Sequence, residues 1–190
     1  FVILSHTNCQ PMEIQILQLV EGARNARGLT VIIDVFRAFS TACYVVGNGA
    51  NEILCVGEVE TSFRLKAEDP ERILMGERKE RMVEGFQYGN SPFQVENVDL
   101  SGRTVVQTTS AGTRGMVNAT GAEEILSGSF VNADAIVDYI RRKDPGQVYL
   151  VCMGFAAEYP IEEDTMCAEY IRGKLLGEEP DFNKMTEVIR

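Results

Sequence analysis

Two segments of this chain repeat one device: a short run of β-branched apolar residues, a few polar residues, then a helix-like stretch that ends in Gly-Ala-x-Glu-Ile-Leu. The first is Thr30–Thr41 (TVIIDVFRAFST), leading to Gly49–Leu54, and the second is Thr104–Arg114 (TVVQTTSAGTR), leading to Gly121–Leu126. A constant offset of 72 residues relates Gly49 to Gly121, Glu52 to Glu124 and Thr41 to Thr113. Self-similarity at a fixed spacing is the mark of an internal duplication, so whatever the first copy folds into, the second repeats.

A continuous Val/Ile run suits a strand buried on both faces of a parallel sheet, and such sheets bind their ligands just beyond the carboxyl ends of the strands. Periodicity and punctuation predict strands near residues 13–19, 29–33, 52–56, 72–75, 104–107, 123–126 and 147–152, and helices near 38–47, 60–68, 112–119, 132–142 and 164–176. Their alternation predicts an α/β class with a three-layer α/β/α architecture: a mostly parallel or mixed sheet built from two duplicated βαβαβ-like halves. Between the halves, residues 79–103 carry Gly85, Gly89, Pro92 and Gly102 and no helix or strand period, which predicts a long functional loop.

Residues 1–11 show little pattern and are read as a non-native or disordered leader, with residues 12–190 as one α/β domain that ends at no obvious closing element, as a C-terminal truncation would. The only histidine, His6, falls in that leader. No apolar run is long enough to cross a bilayer and no stretch reads as a signal peptide, so the expected location is the cytoplasm. A net charge of −10 with no basic stripe argues against nucleic acid and against a membrane surface. Five cysteines without a C-x-x-C pair are expected to be reduced and mostly buried.

Without that histidine there is no Ser-His-Asp triad and no HExxH site; the chain also lacks a P-loop and a cysteine-phosphatase loop. Carboxylates, hydroxyls, backbone amides and arginines remain, an inventory suited to Mg²⁺-assisted phosphoryl chemistry on a small anionic phosphorylated substrate. Asp34, after Val31-Ile32-Ile33, and Glu77, after ILMG, stand at strand ends as catalytic and metal-binding candidates. Asp34 is as well explained as a helix cap. Asp164, in the first turn of the last helix, is a third candidate ligand, although acidic residues are favoured there by the helix dipole alone. Thr108, Thr109, Ser110, Gly112 and Thr113 lie between a strand and a helix, where hydroxyls and free N–H groups can cradle an anion. Arg114 is placed with them as a substrate contact, and Arg37 and Arg78 as catalytic or orienting cations. The turn Asn90-Ser91-Pro92 could pack locally or close over the ligand. A second copy of the chain is left open as a partner.

Five ordered motifs carry a resemblance: D-V-F-R-A-F-S-T at Asp34–Thr41, G-E-R at Gly76–Arg78, E-G-F-x-x-G-N-S-P at Glu84–Pro92, T-T-x-x-G-T-R at Thr108–Arg114 and E-D-x-x-C-A at Glu163–Ala168. Together they resemble the 2-phosphosulfolactate phosphatase family of coenzyme M biosynthesis. The resemblance implies an α/β domain and Mg²⁺-dependent hydrolysis of 2-phosphosulfolactate to sulfolactate and phosphate. Gln87 departs from it, standing where an acidic residue is expected, and Ser110-Ala111 replaces an expected Asn-Gly. Two alternatives keep the same residues: a phosphatase for another phosphorylated hydroxy acid, and a non-catalytic anion-binding module.

Overall fold

The computed structural model describes residues 12–178; the leader reading of residues 1–11, His6 with it, lies outside them. In chain order the first half contains β1 (Glu13–Gln18), α1 (Leu19–Asn25), β2 (Gly28–Ile33), α2 (Ala38–Gly47), β3 (Glu52–Cys55), α3 (Val59–Glu68), β4 (Ile73–Arg78) and β5 (Arg81–Met82). The rest contains α4 (Pro92–Val95), β6 (Thr104–Thr108), α5 (Gly112–Asn118), β7 (Ala122–Gly128), α6 (Ala133–Lys143), β8 (Gln147–Cys152) and α7 (Glu162–Leu176).

The strands form two four-stranded sheets, ordered β1-β8-β2-β7 and β5-β4-β6-β3. Every pairing is parallel except β4 with β5. Read with the 72-residue offset, β2 corresponds to β6, β3 to β7 and β4 to β8, and the two sheet orders become copies of each other. The copies are interlocked. In the βαβ unit β2-α2-β3 the chain leaves one sheet and enters the other, and in β6-α5-β7 it crosses back, so β2 pairs with β7 and β3 with β6.

Burial follows from the apolar runs. Leu29–Ile33 and Val148–Cys152 are buried throughout, as strands covered on both faces must be. Val31 and Ile33 pack against Ile136, Val137 and Ile140 of α6 and Ile171 of α7, while Ile32 faces the opposite way toward Ala23, Phe39 and Met153. Sheet β5-β4-β6-β3 is covered likewise: Met75 and Val105 meet Val45 and Leu100 on one face, and Leu74 and Val106 meet Phe86 and Leu65 on the other. Helices therefore flank sheet, giving the α/β/α layering. The α6 helix shows how local chemistry fixes an end: Arg141, Arg142 and Lys143 occupy its last turn, where cations oppose the dipole, and Asp144 closes it in a left-handed conformation.

Two expectations need correction. The first strand stops at Gln18 and α1 follows, because the backbone turns at Leu19 (φ 61°) and Gly22 lets the helix press onto Leu17. Residues 79–103 are not structureless: they contain β5 and the single turn α4, both too short to leave a period in the sequence. Among the described residues no helix is long and apolar enough to cross a membrane. The four described cysteines are unpaired, and burial pushes Cys55 up to about 11 and Cys152 up to about 12, which leaves both as poor nucleophiles.

Candidate active site

The carboxyl ends of β2, β4, β6 and β8 border one cavity of about 580 Å³. From the turn after β2 it takes Asp34, Phe36 and Arg37; from β4 and beyond, Glu77, Lys79 and Glu80; from the turn after β6, Ser110 and Ala111. Gly154, Phe155, Ala156 and Glu158 follow β8, and Asn90, Ile161 and Glu163 complete the lining. The duplication thus explains the location: the loops that end equivalent strands of both copies meet at one place.

Asp34 is where they are joined. Its Oδ1 accepts the N–H of Ala38 at 3.0 Å and its Oδ2 that of Gly112 at 2.7 Å, the first residues of α2 and α5. A side chain at 112 would stand 2.8 Å from that same Oδ2, so glycine is what allows the approach. Asp34 therefore caps a helix and borders the cavity, and the two readings of it are not exclusive. Glu77 grips the second loop in the same fashion: Oε1 accepts the Ser110 N–H at 2.6 Å, and Oε2 accepts the Ser110 hydroxyl at 2.9 Å and the Glu80 N–H at 3.0 Å.

The other candidate residues divide by what they hold. Arg37 lies exposed at the cavity and Asn90 borders it, its buried Oδ1 without a hydrogen-bond partner. Arg78 does not line the cavity; its guanidinium donates to the carbonyls of Glu77 and Gly57 and to the Thr108 hydroxyl, and burial lowers its pKa. Arg114 likewise reaches the carbonyls of Ser110 and Ala156. The hydroxyls of Thr109 and Thr113 are spent on each other's N–H groups, at 3.1 and 2.8 Å, which stiffens the turn that Ser110 and Gly112 belong to. Ser91 precedes α4 and is not part of the lining. Gln87 serves the sheet edge, its side-chain oxygen accepting the Leu74 N–H. Asp164 is buried below the cavity and accepts two backbone N–H groups, from Val35 and Gly154.

Lys79, Glu80 and Glu158 line the cavity without having been marked by the sequence, whereas Glu163 belongs to the E-D-x-x-C-A motif. Lys79 and Glu80 directly follow the G-E-R motif that ends β4, so position at a strand end could have marked both.

Five carboxylates line the cavity against Arg37 and Lys79. That excess is felt at Asp34, whose pKa rises to about 6, chiefly through burial and further through Glu77 and Glu163, against the lowering effect of the Ala38 and Gly112 N–H groups. Since this folded value lies above the unfolded 3.8, the stability it carries is whole below that pH and is lost as pH rises through about 6. An Asp34→Asn variant escapes the loss. In metal-free protein it should gain about 2 kcal/mol on the parent between pH 4 and pH 8, at about 1.4 kcal/mol per pKa unit, as read from urea unfolding at each pH. A constant difference across that range would show that Asp34 ionises normally.

A family model described as 2-phosphosulpholactate phosphatase matches residues 14–188. The chain is 35% identical over 155 residues to a probable 2-phosphosulfolactate phosphatase of Caldicellulosiruptor saccharolyticus, covering 80% of this chain and 64% of that protein. A protein of the same description from Thermotoga maritima is 33% identical over 142 residues, covering 75% and 60%. Another, from Bacillus subtilis, is 31% identical over 150 residues, covering 78% and 64%. The chain spans about three fifths of the length of the curated relatives it matches.

Proposed function

Because this chain belongs to the 2-phosphosulpholactate phosphatase family, we propose that it hydrolyses 2-phosphosulfolactate to sulfolactate and phosphate with the help of Mg²⁺. The observation that supports this reading most is the Asp34 carboxylate, fixed by the first N–H groups of α2 and α5 at the junction of both copies and bordering a cavity with Glu77 and Glu163.

The donor set fits the cation. All candidate ligands are hard oxygens, and each Asp34 oxygen keeps a lone pair after accepting its N–H. Among the described residues no three His, Cys, Asp or Glu side chains are arranged to hold a metal by themselves. Magnesium accepts such sites, since it retains waters and is bound through one or two carboxylates together with substrate phosphate oxygens. Asp34 and Glu77 would hold it, and when bound it would supply the positive charge that phosphoryl oxygens need as the ester bond breaks. Asp164, the third ligand named from sequence, faces away from this duty.

The chain's own residues would do the rest. Arg37 and Lys79 would bind the sulfonate and carboxylate, orienting the ester toward Asp34. Ser110, locked by Glu77 on both its N–H and its hydroxyl, would set the depth to which the phosphate enters. Phe36 and Phe155 would keep bulk water from the outer half of the cavity.

The test is phosphate release from 2-phosphosulfolactate with Mg²⁺ and after chelation. Release that chelation abolishes supports the reading, and no release under either condition refutes it. A second reading is favoured by the apolar side chains Phe36, Phe155 and Ile161 in the lining: a less charged phosphorylated hydroxy acid. Phosphoglycolate and phospholactate turned over faster than the sulfonate would establish that alternative.

A further inference from the structure

The strands β2 and β8 run side by side until Ile33 and Cys152, and their last backbone bond is the Met153 N–H donated to the Ile33 carbonyl at 2.9 Å. Beyond it the two chains diverge into the turns that carry Phe36 and Arg37 on one side and Phe155 and Glu158 on the other. Two N–H groups, those of Val35 and Gly154, are left where no carbonyl crosses the gap. Both are taken by one side chain: Oδ1 of Asp164 accepts from Val35 at 2.8 Å and Oδ2 accepts from Gly154 at 2.9 Å.

We propose that Asp164 is a positioning residue and not a metal ligand: its carboxylate continues the β2-β8 ladder past the point where the strands part, and so sets the spacing of two turns that form the cavity. Several observations converge on this. Asp164 is 1% exposed and does not border the cavity, whereas its neighbour Glu163 does. Unlike Asp34, which accepts just as many N–H groups, it has no oxygen at the cavity wall for a cation to reach. The peptide it grips follows Asp34 directly, so the grip governs how the Asp34 carboxylate is aimed. At Gly154, φ is 68° and a Cβ would meet the Tyr159 carbonyl oxygen at 2.2 Å, so the turn on that side has little freedom of its own to absorb a shift.

An unpaired buried N–H costs about 1–3 kcal/mol, which is why one carboxylate serving two of them is a stable arrangement despite its burial. Asparagine cannot replace it. One amide oxygen can serve one N–H, and the Nδ2 group would then face the other, donor against donor.

The activity half of the test rests on the phosphatase reading; the exchange half does not. Amide hydrogen exchange is measured first on the parent protein without metal, where Val35 and Gly154 should both be slow. In Asp164→Asn at least one of them should exchange faster. That variant should also lose about 10- to 100-fold in kcat, the cost of aiming a reacting group slightly wrong, at unchanged half-activating Mg²⁺ concentration. Fast exchange at both amides in the parent overturns the clamp, and so does a variant whose main defect is a half-activating Mg²⁺ concentration raised about 10- to 100-fold. Should Asp164→Asn fail to fold, the exchange rates of the parent still decide. Should the parent release no phosphate from any ester, the phosphatase reading falls while the exchange rates still judge Asp164.

Discussion

Asp34→Asn should lower phosphate release by about three orders of magnitude or more, the scale on which a carboxylate that handles charge or protons in the transition state contributes. The substitution is nearly isosteric, and the amide oxygen can still accept from Ala38 or from Gly112, so the loops that meet at this residue lose one tie and not both. Besides that tie, which an Nδ2 group now faces donor to donor, the negative charge disappears. The variant should therefore unfold cooperatively with the parent's denaturant slope, and at pH 8 its stability should suffer less than a severed hydrogen bond would suggest, since the parent's buried charge is itself a cost there. Initial rates at saturating Mg²⁺ and substrate, with circular dichroism as the control for folding, read the effect. Activity near the parent's level would remove Asp34 from the reaction and leave it as a helix cap alone.

Gly76→Ala should be the most disruptive single methyl in the chain, costing upward of about 4 kcal/mol, in the range where point changes signal a specific clash. Gly76 sits in β4 at φ 140°, opposite Thr108 of β6, and a Cβ there would lie 1.8 Å from the Thr108 carbonyl oxygen and 2.8 Å from its carbonyl carbon. Those are backbone atoms of the last pair in the parallel β4-β6 ladder, so no rotamer change relieves them. The next residue is Glu77, whose oxygens hold the Ser110 turn, and a displaced β4 would carry that turn with it. Urea unfolding would measure the loss, with Gly146→Ala as comparison because nothing stands within 4 Å of a Cβ at that position. Equal stabilities for the two variants would show that β4 and β6 are not in the described register.

The long elements were legible because their burial is written as composition. β2, β6 and β8 are each built on a run of β-branched and other apolar residues (Val31–Ile33, Val105–Val106 and Val148–Cys152), and such runs have few other uses. The duplication was legible as an offset in sequence, but not its consequence in space, since nothing in a strand's residues says which strand it will lie beside. The crossing of β2-α2-β3 between sheets is a property of connections. Short elements left no period: α1 follows a strand without a break in hydrophobicity, and β5 is two residues long.

The candidate site divides in the same way. Asp34 and Glu77 could be named because a carboxylate directly after a buried run has to emerge at the sheet's edge. Asp164 could not be placed, because an acid in the first turn of a helix ordinarily faces water, and only the gap left by two diverging strands draws it inside. In sequence, Arg114 just inside a helix and Arg78 directly after Glu77 read as ligand contacts. In the fold their long side chains find backbone carbonyls first, a use of arginine that its neighbours in sequence do not announce.

The interlocked halves also bear on how such a chain comes into being. β2 lies between β7 and β8, and β1 touches no strand but β8. On a ribosome, β1, β2 and β3 therefore emerge before any strand they pair with: β3 waits for β6, β2 for β7, and β1 until β8 has been made up to Cys152. Contacts so distant along the chain slow folding. During that interval the nascent polypeptide would depend on chaperones to stay out of aggregates.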